Sequence, residues 1–283
     1  MSHCGAGQLS NIWDGKGDVM SRIVYWMMLL VMVGSVINAT AGEVETGTVT
    51  GILKIKQGGP MAGGTVFFFK ESTGPAPSND RYWRIPDETA TIDSEGKFTA
   101  NLVAGTYYFG AIKRASGSEF GPPREGDYFL SVTDGKGKPR KFVVKSGGTV
   151  NVGTIADAVP HKQSNVKDQQ GITAIEGAVT DLDGKPVEGI IVFAFTMPGM
   201  VGKPLFVSDR TGNDGKYVLR LQSGGTYYLR AREVYGGGAP KTGEFMGGLG
   251  KGEAAKVVVK TGETIAGIDL KGSRFEGRGP KKE

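Results

Sequence analysis

The 283-residue chain has almost no cysteine and almost no histidine: one cysteine, Cys4, and two histidines, His3 and His161. Past residue 41 no cysteine remains. That excludes a disulfide framework, thiolate metal sites and thioether haem attachment in the body of the protein. No cysteine follows the leader to carry a lipid anchor. The one histidine downstream, His161, falls in the linker, so the usual serine or cysteine nucleophile is expected to lack its base. Paired carboxylates remain as acid–base candidates. The acids Asp93, Glu95, Asp181, Asp183, Asp209 and Asp214 fall in turn sequences, however, where turn propensity explains them. A non-enzymatic protein without a cofactor is expected. Helical patterning is also missing. Outside the first 41 residues no segment of 12 or more carries apolar residues at i, i+3, i+4 and i+7, so helical bundles are excluded.

The long apolar stretch is at the start. Ile23–Ile37 is nearly unbroken, follows Arg22, and leads to Ala39-Thr40-Ala41. A charged start, an apolar run of about 15 residues and an A-x-A end describe a secretory signal peptide. The run is shorter than the roughly 20 residues that span a bilayer. An uncleaved anchor is the alternative, and the only membrane contact then expected. Residues 1–19 are polar and glycine-rich, unlike a leader, and read as an extension upstream of a start at Met20. The expected segments are therefore 1–19 extension, 20–41 leader, 42–155 module one, 156–171 linker, 172–271 module two and 272–283 disordered tail. An exported chain of about 240 residues without cysteine reads as bacterial, periplasmic or at the cell surface.

The 47 glycines are many for a chain of this length and point to frequent turns. Net charge is +5, but Lys and Arg are scattered through strand and turn sequences. Nucleic-acid binding wants a clustered basic stripe with interleaved aromatics. Lys136–Lys145 is the nearest approach, and no nucleic-acid partner is expected.

A repeat organises the rest. Gly-Thr-Tyr-Tyr occurs at Gly105–Tyr108 and again at Gly225–Tyr228. Upstream of the copies lie Asp93-Ser94-Glu95-Gly96-Lys97-Phe98 and Asn213-Asp214-Gly215-Lys216-Tyr217. Downstream lie Lys141–Gly147 and Lys256–Gly262. Within each copy, alternating strands such as Gly47–Ile55 and Ala174–Thr180 are separated by Asp/Asn-Gly turns. Gly64–Lys70 and Gly189–Phe195 are apolar throughout, as a central strand is. Seven or so short strands per copy predict an all-β protein of two tandem antiparallel Greek-key sandwiches. The Ala156–Gly171 linker is polar and would let the modules tilt.

Gly177-x-Val179, Gly184-Lys185-Pro186-Val187-x-Gly189-x-x-Val192, Asn213–Tyr217 and Gly225-Thr226-Tyr227-Tyr228-Leu229-x-Ala231 resemble the carboxypeptidase regulatory-like domain. The resemblance covers nearly all of module two. It is looser in module one, where Gly59-Pro60 sits early and the loop after Phe69 is longer. It implies a transthyretin-like or immunoglobulin-like sandwich and a non-catalytic role: a stalk, a binding module, or a part that accompanies an enzyme.

Candidate ligand residues lie in loops. Tyr82, Trp83 and Arg84 in the Glu71–Glu88 insertion suit stacking on a sugar or anchoring a protein. Alternatively Trp83 folds back over the sandwich or belongs to a short strand. Phe120 and Tyr235 lie in the equivalent loops after the Tyr-Tyr strands. Simple strand alternation would place those two loops at one end and the Trp83 loop at the other. Asp209–Gly215 is rich in oxygen ligands, and Met197, Met200 and Met246 are thioethers. A plain hairpin turn and packing under loops explain both without a metal. The expected partner is an envelope or surface protein, or a polysaccharide.

Overall fold

The computed structural model describes residues 45–78, 81–117, 120–162, 171–235, 239–249 and 256–277. The leader and residues 1–19 lie outside these, as do 163–170 of the linker. The first module is built from β1 (Thr46–Ile55), β2 (Thr65–Lys70), β4 (Glu88–Thr91), β5 (Lys97–Val103), β6 (Gly105–Lys113), β7 (Tyr128–Ser131), β8 (Phe142–Val144) and β9 (Thr149–Pro160). Between β2 and β4 lies the two-residue strand β3 (Trp83–Arg84). The second module has β10 (Thr173–Thr180), β11 (Ile191–Phe195), β12 (Phe206–Val207), β13 (Lys216–Leu221), β14 (Gly225–Arg232), β15 (Phe245–Gly248), β16 (Lys256–Val259), β17 (Thr264–Ile265) and β18 (Leu270–Arg274). Among the described residues the one helical element is the 3-10 turn Glu71–Thr73.

Each module is a curled sheet that folds over itself as a sandwich. The orders are β4-β2-β6-β7-β9-β1-β5, with β8 beside β6, and β13-β10-β18-β15-β14-β11-β12-β3, with β16 beside β14 and β17 beside β10. The last strand of each module turns the corner. β9 runs parallel to β1 and then meets β7; β18 runs parallel to β10 and meets β15. Both turning strands bulge where they pass the first strand, and a glycine makes room. A Cβ on Gly51 would stand 2.4 Å from the Val152 side chain, and one on Gly177 2.0 Å from the Ile268 carbonyl. The bulge divides the expected strand 264–270 into β17 and β18.

The repeated tyrosines alternate faces as their adjacency demands. Tyr107 and Tyr227 enter the two cores, and each hydroxyl donates to the carbonyl four residues back, Val103 at 2.7 Å and Ser223 at 2.9 Å. Tyr108 and Tyr228 point outward, yet neither lies in open solvent. β2 and β11 explain why. Val66 and Phe68 face the first core while Phe67 and Phe69 form an outer cluster with Tyr108 and Ile112. Val192 and Ala194 face the second core while Ile191, Phe193 and Phe195 form an outer cluster with Val207 and Ile85. These strands are apolar throughout because both their faces are covered.

Two expected boundaries move. Residues 156–160 end β9, because β7 offers them a ladder (Phe129 pairs with Val159 and Tyr128 with Pro160). Residues 272–274, expected in the tail, pair with Phe245–Gly247 of β15.

Candidate functional site

The Glu71–Asp87 insertion does not stand free in solvent. It crosses to the second module and adds β3 to the edge of β12, pairing Trp83 with Val207 and Arg84 with Phe206. The Ile85 amide continues the ladder to the Leu205 carbonyl at 3.1 Å, and the Lys203 ammonium donates to the Asp87 carbonyl. A few residues later the same segment becomes β4 and pairs with β2. Trp83–Thr91 thus caps a sheet edge in both modules. The segment is a connection between the modules besides the linker.

Tyr82 is 7 % exposed and belongs to the core of the second module. Its ring meets Phe206 edge-on at 5.4 Å, and its hydroxyl donates to the Ala76 carbonyl at 2.6 Å. Trp83 is half-buried at the junction. Its Nε1 donates to Asp209 Oδ1 at 2.9 Å, and its ring meets Phe129 and His161 at 6.1 and 6.0 Å. The Arg220 guanidinium, with 5 % of its side chain exposed, stands 5.6 Å over the indole. Arg84, 5 % exposed, ties the insertion together from inside. It donates to the carbonyls of Lys70, Gly74 and Pro75, to Thr73 Oγ1 and to Asp87 Oδ2. Trp83 and Arg84 form the short strand that was one of the alternatives, with Tyr82 and Arg84 buried and Trp83 half-buried.

The insertion and the loops of Phe120 and Tyr235 also meet, against the expectation from strand alternation. β3 leaves its own module and brings Trp83 to the seam that the other two loops reach. Gly121 lies against Tyr235 and Ile191: a Cβ there would come 3.7 Å from the tyrosine ring. Tyr235 is half-buried, 6.0 Å from Phe193. The seam encloses a cavity of about 50 Å³ lined by Phe67, Phe69, Trp83, Phe129, Val207 and Tyr235. A water occupies about 30 Å³ in the liquid, and ligand pockets start at about 300 Å³. This is a packing seam.

Phe120 is different: 51 % of its surface is exposed. It stands on the lip of a cleft of about 190 Å³ with Arg114, Arg124, Glu125, Asp209 and Arg210. Asp209 and Arg210 also border a second, open cleft of about 730 Å³ lined by Glu176, Asp214, Lys216, Tyr217 and Asp269. The two clefts share Asp209 and Arg210 as lining, and the smaller one lies at the module junction. Its acids and bases are mixed, so it suits polar ligands of low net charge. The side chain of Asp209 keeps 43 % of its surface although protein surrounds it on most sides. Desolvation pushes its carboxyl above the usual range, against Arg220 at 3.6 Å and the Trp83 N–H. Burial lowers the pKa of His161, against the pull of Asp209, Glu125 and Asp127.

Each loop after a Tyr-Tyr strand is closed at its base by an arginine and an acid, a pairing that repeats in both modules. Arg114 Nη1 donates to Asp127 Oδ2 at 2.5 Å, and Arg232 Nε to Glu244 Oε1 at 2.7 Å. Burial pushes both carboxyls up. Backbone amides and the arginines more than offset it, and both pKa values are lowered. The sequence analysis missed these pairs; the signal was an arginine at the end of β14 or just past the end of β6 and an acid just before the next strand.

The oxygen-rich segment does not converge. Asp209 serves Trp83 and Arg220, while Asp214 Oδ1 accepts the Lys216 amide of the hairpin turn. Among the described residues no three His, Cys, Asp or Glu side chains gather to hold a metal ion. Met246 pairs with Arg232, whereas Met197 follows Phe195, which pairs with Tyr228. Four residues of β14 separate the two pairs, roughly 13 Å.

No family model matches the chain, and no curated protein matches it. Among solved structures it is similar to the TIE protein of Bacillus anthracis, at 14% identity and a TM-score of 0.23 over 80% of this chain and 34% of that one. It is similar to GBS52, the minor pilin of Streptococcus agalactiae, at 14% identity and a TM-score of 0.25 over 83% of this chain and 100% of that one. A shaft pilin SpaA of Lactobacillus rhamnosus GG gives 12% identity and a TM-score of 0.23 over 83% and 100%. The roles of the residues above rest on their own contacts.

Proposed function

We propose that this is an exported, non-catalytic bacterial protein whose two sandwiches, of the carboxypeptidase regulatory-like kind, form one stiff body. It works as a binding or scaffolding part of the envelope or cell surface. The observation that carries this reading is the Trp83–Thr91 segment, which caps one sheet edge in each module and so ties the two together beside the cleft that Phe120 borders. The leader supports export. Affinity capture of residues 42–283 from the native envelope, followed by mass spectrometry, tests it. A stoichiometric envelope protein supports the scaffold, and an exported enzyme in that position makes the chain its accessory subunit. Capture of cytoplasmic proteins alone would sink the reading.

A second reading, carbohydrate binding, is favoured by the exposed ring of Phe120 beside hydrogen-bonding groups of the cleft, which suits stacking on a sugar face. Phe120→Ala is then expected to lose retention on a polysaccharide column with an unchanged melting curve. Retention equal to that of the parent chain would remove Phe120 from binding.

A further inference from the structure

Met197 and Met200, both expected to pack under loops, part ways in the structure. From Thr196 to Lys203, between β11 and β12, every residue is exposed except Met200, which is half-buried. Met197 keeps 58 % of its surface and Val201 73 %. No charged side chain occurs from Thr196 through Gly202. Met200 packs against the outer cluster of Ile191, Phe193 and Phe195. Its φ is +46°, in the left-handed region that a residue with a long side chain seldom enters. Its amide donates to the Met197 carbonyl at 3.1 Å and closes a turn. With Met200 drawn inward, the turn leaves Met197 and Val201, one on each side, out in solvent. Nothing in the packing of the fold uses these two side chains.

Cations stand at the base of this loop. Lys203 closes it and is exposed, its ammonium reaching the Asp87 carbonyl. The Asp87 carboxylate itself is taken by Arg84, Thr73 and the Lys70 amide. At the other end of the loop, the Arg230 guanidinium lies 5.9 Å from the ring of Phe195, which ends β11. Phe195 pairs with Tyr228, and Tyr228 pairs with Lys256 of β16. Exposed Lys256 therefore stands in the same row, two strand spacings or roughly 10 Å from Phe195. An apolar tip above a cationic base matches the layers of a membrane interface, where anionic headgroups overlie acyl chains. A protein pocket for the tip alone would not call for the cations.

We propose that the Thr196–Lys203 loop docks the protein on an anionic lipid bilayer. Met197 and Val201 enter the boundary between headgroups and acyl chains, and Lys203, Arg230 and Lys256 face the lipid phosphates. The unbranched methionine adapts to an irregular apolar surface, and the long cationic side chains reach past it to the headgroups. Docking of this kind is shallow and reversible. It holds the folded chain at a membrane surface independently of the leader. The Phe120 loop is a separate surface: it reaches the opposite end of β11, where Gly121 lies against Ile191.

The test is co-sedimentation of residues 42–283 with vesicles of phosphatidylglycerol and phosphatidylethanolamine, with phosphatidylcholine vesicles as the net-neutral match. The expected result is salt-sensitive binding to the anionic vesicles, weakened roughly tenfold or more by the double variant Met197→Ser, Val201→Ser. Leu182→Ser, which removes an apolar side chain 70 % exposed on another turn, leaves binding unchanged. Both variants keep the parent melting temperature, because the groups removed are exposed. No cysteine follows residue 41, so an environment-sensitive dye on Met197→Cys reports on the tip alone. Its emission shifts to the blue on anionic vesicles. Any of four results overturns the proposal: no binding to anionic vesicles, equal binding to phosphatidylcholine, undiminished binding by the double variant, or dye emission unchanged in the bound protein. Equal weakening by Leu182→Ser would overturn it too. Phe120→Ala leaves vesicle binding unchanged, so a failure here and a failure of the Phe120 cleft are told apart.

Discussion

Replacing Trp83 by alanine separates a junction from a ligand platform. The indole gives up a hydrogen bond to the Asp209 carboxylate, edge contacts with Phe129 and His161, and the face that Arg220 covers. Tryptophan-to-alanine changes at packed sites cost about 3–5 kcal/mol. Asp209 and Arg220 remain 3.6 Å apart and keep each other paired, so the lower end, ~3 kcal/mol, applies. For a cooperative body of this size each kcal/mol moves the melting temperature by about 2–4 °C. A fall of roughly 6–12 °C is expected in scanning calorimetry. The single transition of the parent should also broaden or split as the modules uncouple. A ligand platform predicts the opposite: lost binding and an intact melting curve. A shift under about 2 °C with one sharp transition would refute the junction. Trp83 is the only tryptophan after residue 41, so its emission reports on the same seam without a label.

Arg84→Lys keeps the charge but replaces a fork of donors by a compact ammonium, leaving buried carbonyls of the insertion unpaired. We expect a loss of about 2–4 kcal/mol in urea denaturation. Gly177→Ala drives a methyl into the Ile268 carbonyl and should prevent soluble expression, whereas Gly189→Ala, at φ +78° with open space around it, should cost only about 1–2 kcal/mol. Acid should weaken the fold in two steps. Burial lowers the His161 pKa, so the stability of its neutral ring is complete above the ordinary imidazole range and is lost as pH falls below it; His161→Phe removes that step. Glu244 has a lowered pKa, so the stability of its pair with Arg232 is present above the ordinary carboxylate range and is lost as pH falls through the depressed value; Glu244→Gln removes the second step. Urea midpoints measured from pH 8 to pH 3 check both.

Strand positions were legible because the chain alternates strongly and punctuates itself with glycine. The Gly105–Tyr108 and Gly225–Tyr228 copies located β6 and β14, and Lys216–Leu221 is β13 as read. The junction was not legible, for a physical reason. β3 and β12 are two residues each, too short for a period to show. The bond from Trp83 to Asp209 joins residues 126 apart, with no local signature. One clue was present. Phe67–Phe69 and Ile190–Phe195 are apolar on both faces, more than a sandwich strand with one wet face needs. Two equivalent strands with the same excess were pointing at each other. Phe120 is the one candidate that kept its exposure, because its loop lies beyond the seam.

The parallel pairing of first and last strands has a mechanical meaning. In each module the chain enters on β1 or β10 and leaves on the strand alongside, running the same way. Tension between the ends of a module therefore slides these two strands lengthwise past one another. All the rungs between them share the load, whereas in a hairpin pulled from its open end each rung breaks alone. A chain built this way resists stretching along its length, and does so twice in series.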